Sequence, residues 1–187
     1  MATFVAMLRS INVAGRNRLP MADLRALMSA LGFEDAVTYL QSGNVVFSGA
    51  GTPKAVGRAI EEQITADLGL EVPVVVRSSR QLQKTVESTP FSRLDVDPKT
   101  RHVTFLAQLP EPQAVGELEA LDGRFGTDRF EVVGPDVFLY CPGGYGETKL
   151  NNAFLERRLG VVATTRNWRT VLALADMAGV PVGEQLA

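Results

Sequence analysis

The chain has 187 residues, 45% of them hydrophobic and 21% charged, with a formal net charge of −2. This is ordinary soluble composition at the size of one large domain or two small ones, and it excludes disordered, collagenous and coiled-coil proteins. A single cysteine and a single histidine exclude a disulfide framework and a multi-cysteine zinc site, so no metal is expected. No apolar run approaches the roughly 18 residues of a membrane span. The apolar run Phe4 to Leu8 meets Arg9 and is too short for a secretory signal. The expected setting is the cytoplasm, with no membrane partner.

Thr3 to Arg9 reads as a first strand, and Ser10 to Pro20 as a polar loop. A helix follows from Met21 to Leu31, since Leu24, Leu27, Met28 and Leu31 recur at i, i+3, i+4 and i+7. Gly32 is its left-handed stop. Ala36 to Leu40 and Asn44 to Ser48 are β-branched and aromatic, joined by the tight turn Gln41-Ser42-Gly43. Thr52-Pro53 announces a helix carrying Val56, Ile60, Ile64 and Leu68, which stops at Gly69. Val72 to Arg77 is a buried strand, and Ser78 with Gln81 forms a capping box for a short helix.

Thr89 to Thr100 reads as a linker. Beyond it the same order returns: a strand His102 to Gln108, a helix Pro112 to Leu121, and a hairpin of Phe130 to Val133 with Val137 to Cys141. Then come a helix Thr148 to Leu159, a stunted strand Val161 to Ala163, and a closing helix Thr165 to Ala178. Each half spells a split β-α-β unit, so the expected fold is α+β: two ferredoxin-like subdomains, antiparallel sheets with helices on one face. The boundary is set at 98/99, giving subdomains 1–98 and 99–187. Only the order of elements repeats; no residue-level repeat is visible.

Charge is segregated. Arg9, Arg16 and Arg18 stand in a stretch without an acid, as do Arg157, Arg158, Arg166 and Arg169. Together they carry +7, leaving −9 for the rest of the chain. Such clusters are either solvated surface or an anion site. With a threonine of Thr164-Thr165 as helix cap, Arg166 and Arg169 would sit in a first turn whose dipole favours acids. An arriving anion would turn that conflict into attraction, helped by Thr164, Thr165 and Asn167. Trp168 is either a stacking wall or the start of a buried stripe with Val171, Leu172 and Ala175.

Pro142 to Lys149 is glycine-rich between a strand and a helix, but its order is not that of a P-loop. It delivers Lys149 to a helix start, with Glu147 and Lys149 its only acid–base candidates. His102 and Cys141 read as structural.

Four segments resemble a known family: Leu8 to Met21, Tyr39 to Phe47, Thr148-Lys149-Leu150-Asn151-Asn152, and Ala163-Thr164-Thr165-Arg166-Asn167-Trp168. They are similar to the domain-of-unknown-function 1697 family, found mainly in bacteria. The resemblance implies two ferredoxin-like subdomains and brings no established activity, cofactor or catalytic residue. Family members usually have glycine where this chain has Ser10 and Ala14.

The resembling segments are rich in amides, which orient ligands and seldom do acid–base work. Three readings stand. The first is non-catalytic binding of a phosphate-bearing ligand, a nucleotide or short nucleic acid, in a basic polar cleft near the contact of the subdomains. Its residues are Arg9, Asn12, Arg16, Asn17, Arg18, Lys149, Asn151, Thr164, Thr165, Arg166, Asn167 and Trp168, with Trp168 or Tyr145 stacking a base. Arg166→Ala should then remove binding at unchanged stability. The second is an enzyme on a small phosphorylated or carboxylated substrate, though no catalytic motif supports it. The third is a protein-interaction module. The Gln41–Asn44 turn is expected at the opposite end of its sheet from the Arg9–Pro20 loop.

Overall fold

The computed structural model describes residues 1–12, 17–91 and 97–182. The described residues divide into two units, 1–84 with 174–182 and 85–173. The chain passes between the units at Lys84/Thr85 and again at Ala173/Leu174, each time inside a helix.

In the first unit, β1 (Ala2–Leu8), β2 (Glu34–Tyr39), β3 (Asn44–Gly49) and β4 (Val74–Ser78) form one antiparallel sheet in the order β2-β3-β1-β4. Strand alternation sends Phe4, Ala6 and Leu8 to one face. There they meet Val45 and Phe47, then Leu24, Leu27 and Met28 of α1 (Met21–Ala30) and Val56, Ile60 and Ile64 of α2 (Pro53–Leu68). Each such side chain contributes roughly 1.5–3 kcal/mol by leaving water. The alternate residues Val5, Met7, Val46 and Val75 are buried as well, which is why these strands read as apolar runs rather than alternating ones. Thr52 caps α2 through Ala55 N–H at 3.3 Å, and Gly69 closes it at φ 65°. A third helix, α3 (Ser79–Glu87), follows β4 directly.

The placement of the Gln41–Asn44 turn is corrected by this topology. Both β1 and β2 run antiparallel to β3, so they run parallel to each other. The exit of β1 and the β2–β3 turn therefore lie at the same end of the sheet. Leu8 N–H donates to the Gly43 carbonyl at 2.8 Å. Gly43 is required there: its φ is 73°, and a Cβ would stand 2.5 Å from Ile11 Cδ1.

The second unit repeats the plan. Its strands are β5 (Arg101–Leu106), β6 (Arg129–Val133), β7 (Asp136–Tyr140) and β8 (Ala163–Asn167), in the order β6-β7-β5-β8. Helices α4 (Pro112–Glu119) and α5 (Asn152–Leu159) contribute Leu118, Leu155 and Leu159 to a core with Leu106, Val137, Leu139 and Ala163. α6 (Trp168–Met177) follows β8 directly.

Three expected elements shift here. The stunted strand is instead five residues long, because the β-branched Thr164 and Thr165 pair with β5 as far as Asn167 opposite His102. The closing helix consequently starts at Trp168, and its cap is Asn167, whose Oδ1 accepts the Arg169 N–H at 3.0 Å. The helix expected from Thr148 begins at Asn152, capped by Asn151 Oδ1 accepting the Phe154 N–H at 3.0 Å. Thr148 is spent instead on Asp128, 2.6 Å away, and on the Leu150 N–H.

The two units also share residue-level devices that the sequence hides. Glu61 of α2 accepts the N–H of Val74, the first residue of β4, at 2.7 Å. Glu156 of α5 accepts the N–H of Ala163, the first residue of β8, at 2.9 Å. The fourth residue of each last strand is a buried arginine, Arg77 or Arg166. None of the described helices is long and apolar enough to cross a membrane.

Candidate functional site

The candidate residues divide between the two units. Arg9, Asn12, Asn17 and Arg18 belong to the first, in the connection from β1 to α1; Arg16 lies outside the described residues. Asn12 holds a left-handed φ of 54°, a conformation that asparagine tolerates. Its Nδ2 donates to the carbonyls of Leu19 (2.9 Å) and Gln41 (2.8 Å), and its Oδ1 accepts the Leu19 N–H. Asn17 Nδ2 donates to the Ser10 carbonyl at 3.2 Å. These amides shape the loop, and Arg18 stays exposed.

In the second unit, β5 runs antiparallel to β7 and β8, so its start meets their ends: Arg101 lies opposite Tyr140, and His102 opposite Asn167. The glycine-rich connection after β7 and the start of α6 therefore lie at one end of this sheet. Alternation splits the Thr164–Trp168 motif between two faces. Thr165 and Asn167 share a face with Thr104 and His102; Thr164 and Arg166 share the other with Val103 and Phe105.

On the first of these faces Thr165 is the hub. Its hydroxyl donates to Asn152 Oδ1 at 2.7 Å and accepts from Tyr145 OH at 3.0 Å, with Thr104 Oγ1 at 2.7 Å. Tyr145 stacks on the His102 ring at 4.9 Å, so neither its ring nor its hydroxyl is left idle. Asn167 Nδ2 donates to the Lys99 carbonyl at 3.1 Å. Burial pushes His102 below its ordinary pKa, partly offset by the Thr100 carbonyl.

On the other face Arg166 is only 8% exposed. It donates to Thr164 Oγ1 at 2.8 Å and to the Thr165 carbonyl at 2.9 Å. Burial lowers its pKa to about 10, and the Tyr145 phenol counters only part of that. It is a strand residue of the interior, not a first-turn cation opposing a helix dipole. Trp168 is 1% exposed, which makes it the start of the buried stripe rather than an open stacking wall.

Two cations that the sequence reading passed over, Arg101 and Lys99, stand at this end with Arg169, which it had singled out. Arg101 places its guanidinium carbon 5.5 Å from the Trp168 ring centre, and burial lowers its pKa. Arg169 lies 3.8 Å from Asp97, both well exposed, and Lys99 is exposed beside them. Among the described residues, the buried Arg101 Nε and Trp168 Nε1 have no hydrogen-bond acceptor. The signal for Arg101 and Lys99 was present as two more cations at the mouth of a strand, but Lys99 fell in the segment read as linker and Arg101 between that segment and the strand read from His102. Lys149 is exposed on the glycine-rich connection. Burial pushes the Cys141 thiol up to about 11. Among the described residues, no group of three His, Cys, Asp or Glu side chains is placed to hold a metal.

Two four-stranded antiparallel sheets in the same ferredoxin-like order define a two-subdomain α+β protein. A profile described as "Protein of unknown function (DUF1697)" matches residues 1–138, and the chain belongs to that family. The match includes the first two resembling segments and stops before the last two. The chain is similar over 95% of its length to a solved structure, a conserved bacterial protein, SP0830, from Streptococcus pneumoniae. The two are 21% identical, with a TM-score of 0.71 over 98% of that chain. This likeness concerns the fold. No curated protein matches the chain.

Proposed function

We propose that the protein is a non-catalytic binder of a phosphate-bearing ligand, and that the ligand docks at the β5-start, β8-end side of the second unit. One observation carries the reading. Among the described residues, Lys99, Arg101 and Arg169 stand there with the single carboxylate of Asp97, and Lys99 and Arg169 are exposed. Three cations against one carboxylate leave net positive charge there, and an oxyanion neutralises it through charge-assisted hydrogen bonds. The amides singled out from sequence support the site's shape: Asn167 ties β8 to Lys99 and caps α6.

The test is a thermal-shift series with inorganic phosphate, sugar phosphates, nucleotides and short oligonucleotides, at low and moderate salt. A ligand at a hundredfold its Kd stabilises by about 2.7 kcal/mol, roughly 5–10 °C for a chain of this size. Lys99→Ala combined with Arg169→Ala changes only exposed side chains and should abolish the shift. A shift that survives the double substitution overturns the site, and silence across the series overturns the reading.

A further inference from the structure

We propose that His102 and Asn167 form an acid-sensitive latch at the β5-start, β8-end side of the second unit. With His102 neutral, Asn167 holds the start of α6 and the Lys99 backbone in place; protonation of His102 releases both together. The latch goes beyond phosphate binding and stands whether or not a ligand docks there.

The Asn167 amide has three neighbours and one orientation that serves them all. Its Oδ1 accepts the Arg169 N–H at 3.0 Å, which caps α6. Its Nδ2 donates to the Lys99 carbonyl at 3.1 Å and faces His102 Nε2 at 3.4 Å. The cap fixes which end of the amide is oxygen, so Nδ2 presents a hydrogen to Nε2, and Nε2 has to offer a lone pair. His102 Nδ1 is buried without a hydrogen-bond partner among the described residues, so the choice of tautomer falls to Asn167. The proton of the neutral ring sits on Nδ1.

A protonated imidazole is a donor at both nitrogens. Nε2–H then meets the N–H of Asn167, two donors with no acceptor between them. The ring is the fixed member of this pair. His102 lies opposite Asn167 in the β5–β8 ladder, and Tyr145 stacks on its ring at 4.9 Å with its own hydroxyl tied to Thr165 at 3.0 Å. An aromatic face attracts a cation, so Tyr145 keeps the charged ring where it is. The conflict is relieved when the Asn167 amide turns and offers Oδ1 to Nε2–H. That turn takes the acceptor from the Arg169 N–H and the donor from the Lys99 carbonyl in one movement.

His102 supplies the signal. It is the only histidine, and imidazole is the side chain whose ordinary pKa lies between pH 5 and 8. On its face of the sheet stand Thr104, Thr165 and Tyr145, and Asn152 of α5 reaches Thr165. From β7, Leu139 lies opposite it, and the Cys141 thiol two residues on is pushed up to about 11. Arg101 and Arg166 alternate to the other face. Among the described residues, Asp97, Lys99 and Arg169 stand exposed at this end. Burial resists the charging of His102, which sets the opening below pH 6.5 rather than at neutrality.

The experiment follows the 15N-labelled full chain by NMR from pH 8 to pH 5 with no ligand added. At pH 8 the ring correlations of His102 should show the Nδ1–H tautomer. Chemical shifts follow any nearby charge, so exchange protection decides: that of the Arg169 amide should fall tenfold or more with the same midpoint as the His102 ring. Asn167→Ser keeps a helix cap but loses the group that faces Nε2. In that variant the Arg169 amide should stay protected throughout, and the His102 midpoint should move up toward 6.5. In His102→Gln the Arg169 amide should likewise stay protected. An Nε2–H tautomer at pH 8 overturns the latch. So does a His102 transition that leaves Arg169 protected, a loss of protection that persists in either variant, or unfolding of the chain before His102 titrates.

Discussion

Asn12 and Gln41, 29 residues apart, are joined by a hydrogen bond from Asn12 Nδ2 to the Gln41 carbonyl at 2.8 Å. The same amide holds Leu19 by two further bonds. One side chain thus ties the loop leaving β1 to the β2–β3 turn and to the approach to α1. Two segments picked out separately by their resemblance to the family form one structural unit through it.

Asn12→Ala should therefore destabilise the protein by about 2–4 kcal/mol, from three lost bonds and from a left-handed backbone that alanine resists. Asn12→Asp retains the acceptor and should fall between alanine and wild type. Urea unfolding curves check both. A loss below 0.5 kcal/mol for alanine would mean that the loop stands without this tie.

Arg166 and Arg169 should respond oppositely to truncation. Arg166→Ala removes a buried side chain and leaves Thr164 Oγ1 without its donor, a loss of about 2–4 kcal/mol. Arg169→Ala removes an exposed side chain whose contact with Asp97 is long, and stability should stay within about 0.5 kcal/mol. Phosphate binding should be lost in Arg169→Ala although the fold is intact. Equal stability for the two variants would contradict the interior placement of Arg166.

The order of elements was legible because periodicity and caps are local: Thr52-Pro53 and Gly69 bracket α2 as read. The end of the chain was not, because Thr164 and Thr165 suit a helix cap and a strand equally. Only pairing with β5, 61 residues away at Thr104–Thr165, decides between them. That one misplacement also put Arg166 in a helix turn instead of the interior, whereas Trp168 begins the buried stripe that its spacing with Val171, Leu172 and Ala175 already offered. The repeat of Glu61 and Glu156 was hidden for a similar reason. The first stands 13 residues before its strand and the second 7, so no alignment of the two halves brings them together.

Those two glutamates should prove equivalent in function. Each receives the first N–H of a strand that closes its sheet. Glu61→Ala and Glu156→Ala should each cost about 1–3 kcal/mol, and glutamine, which keeps the carbonyl acceptor, should recover more than half. Unfolding curves for the four variants test this. A neutral result for one glutamate alone would break the correspondence between the units.

Cys141 is buried, and its thiol is pushed up to about 11. The thiolate is the reactive form, so native protein at pH 8 should react with iodoacetamide at least a hundredfold more slowly than protein in urea. Rapid labelling of the native chain would show that the β7 end opens readily to solvent.

The last prediction concerns acid. His102 is the only histidine, and burial beneath Tyr145 lowers its pKa from the ordinary 6.5. Above pH 7 the ring is neutral both folded and unfolded, and it contributes nothing to pH dependence. As pH falls through 6.5 the unfolded chain takes up a proton that the folded chain resists, so stability declines toward the lowered folded value. This window lies above the range where carboxylates ordinarily titrate, so it can be read separately. The urea midpoint of the wild type should fall between pH 7.5 and 5.5, while that of His102→Gln should stay nearly level. Parallel declines in the two proteins would assign the acid sensitivity to other groups and leave His102 accessible to protons in the folded state.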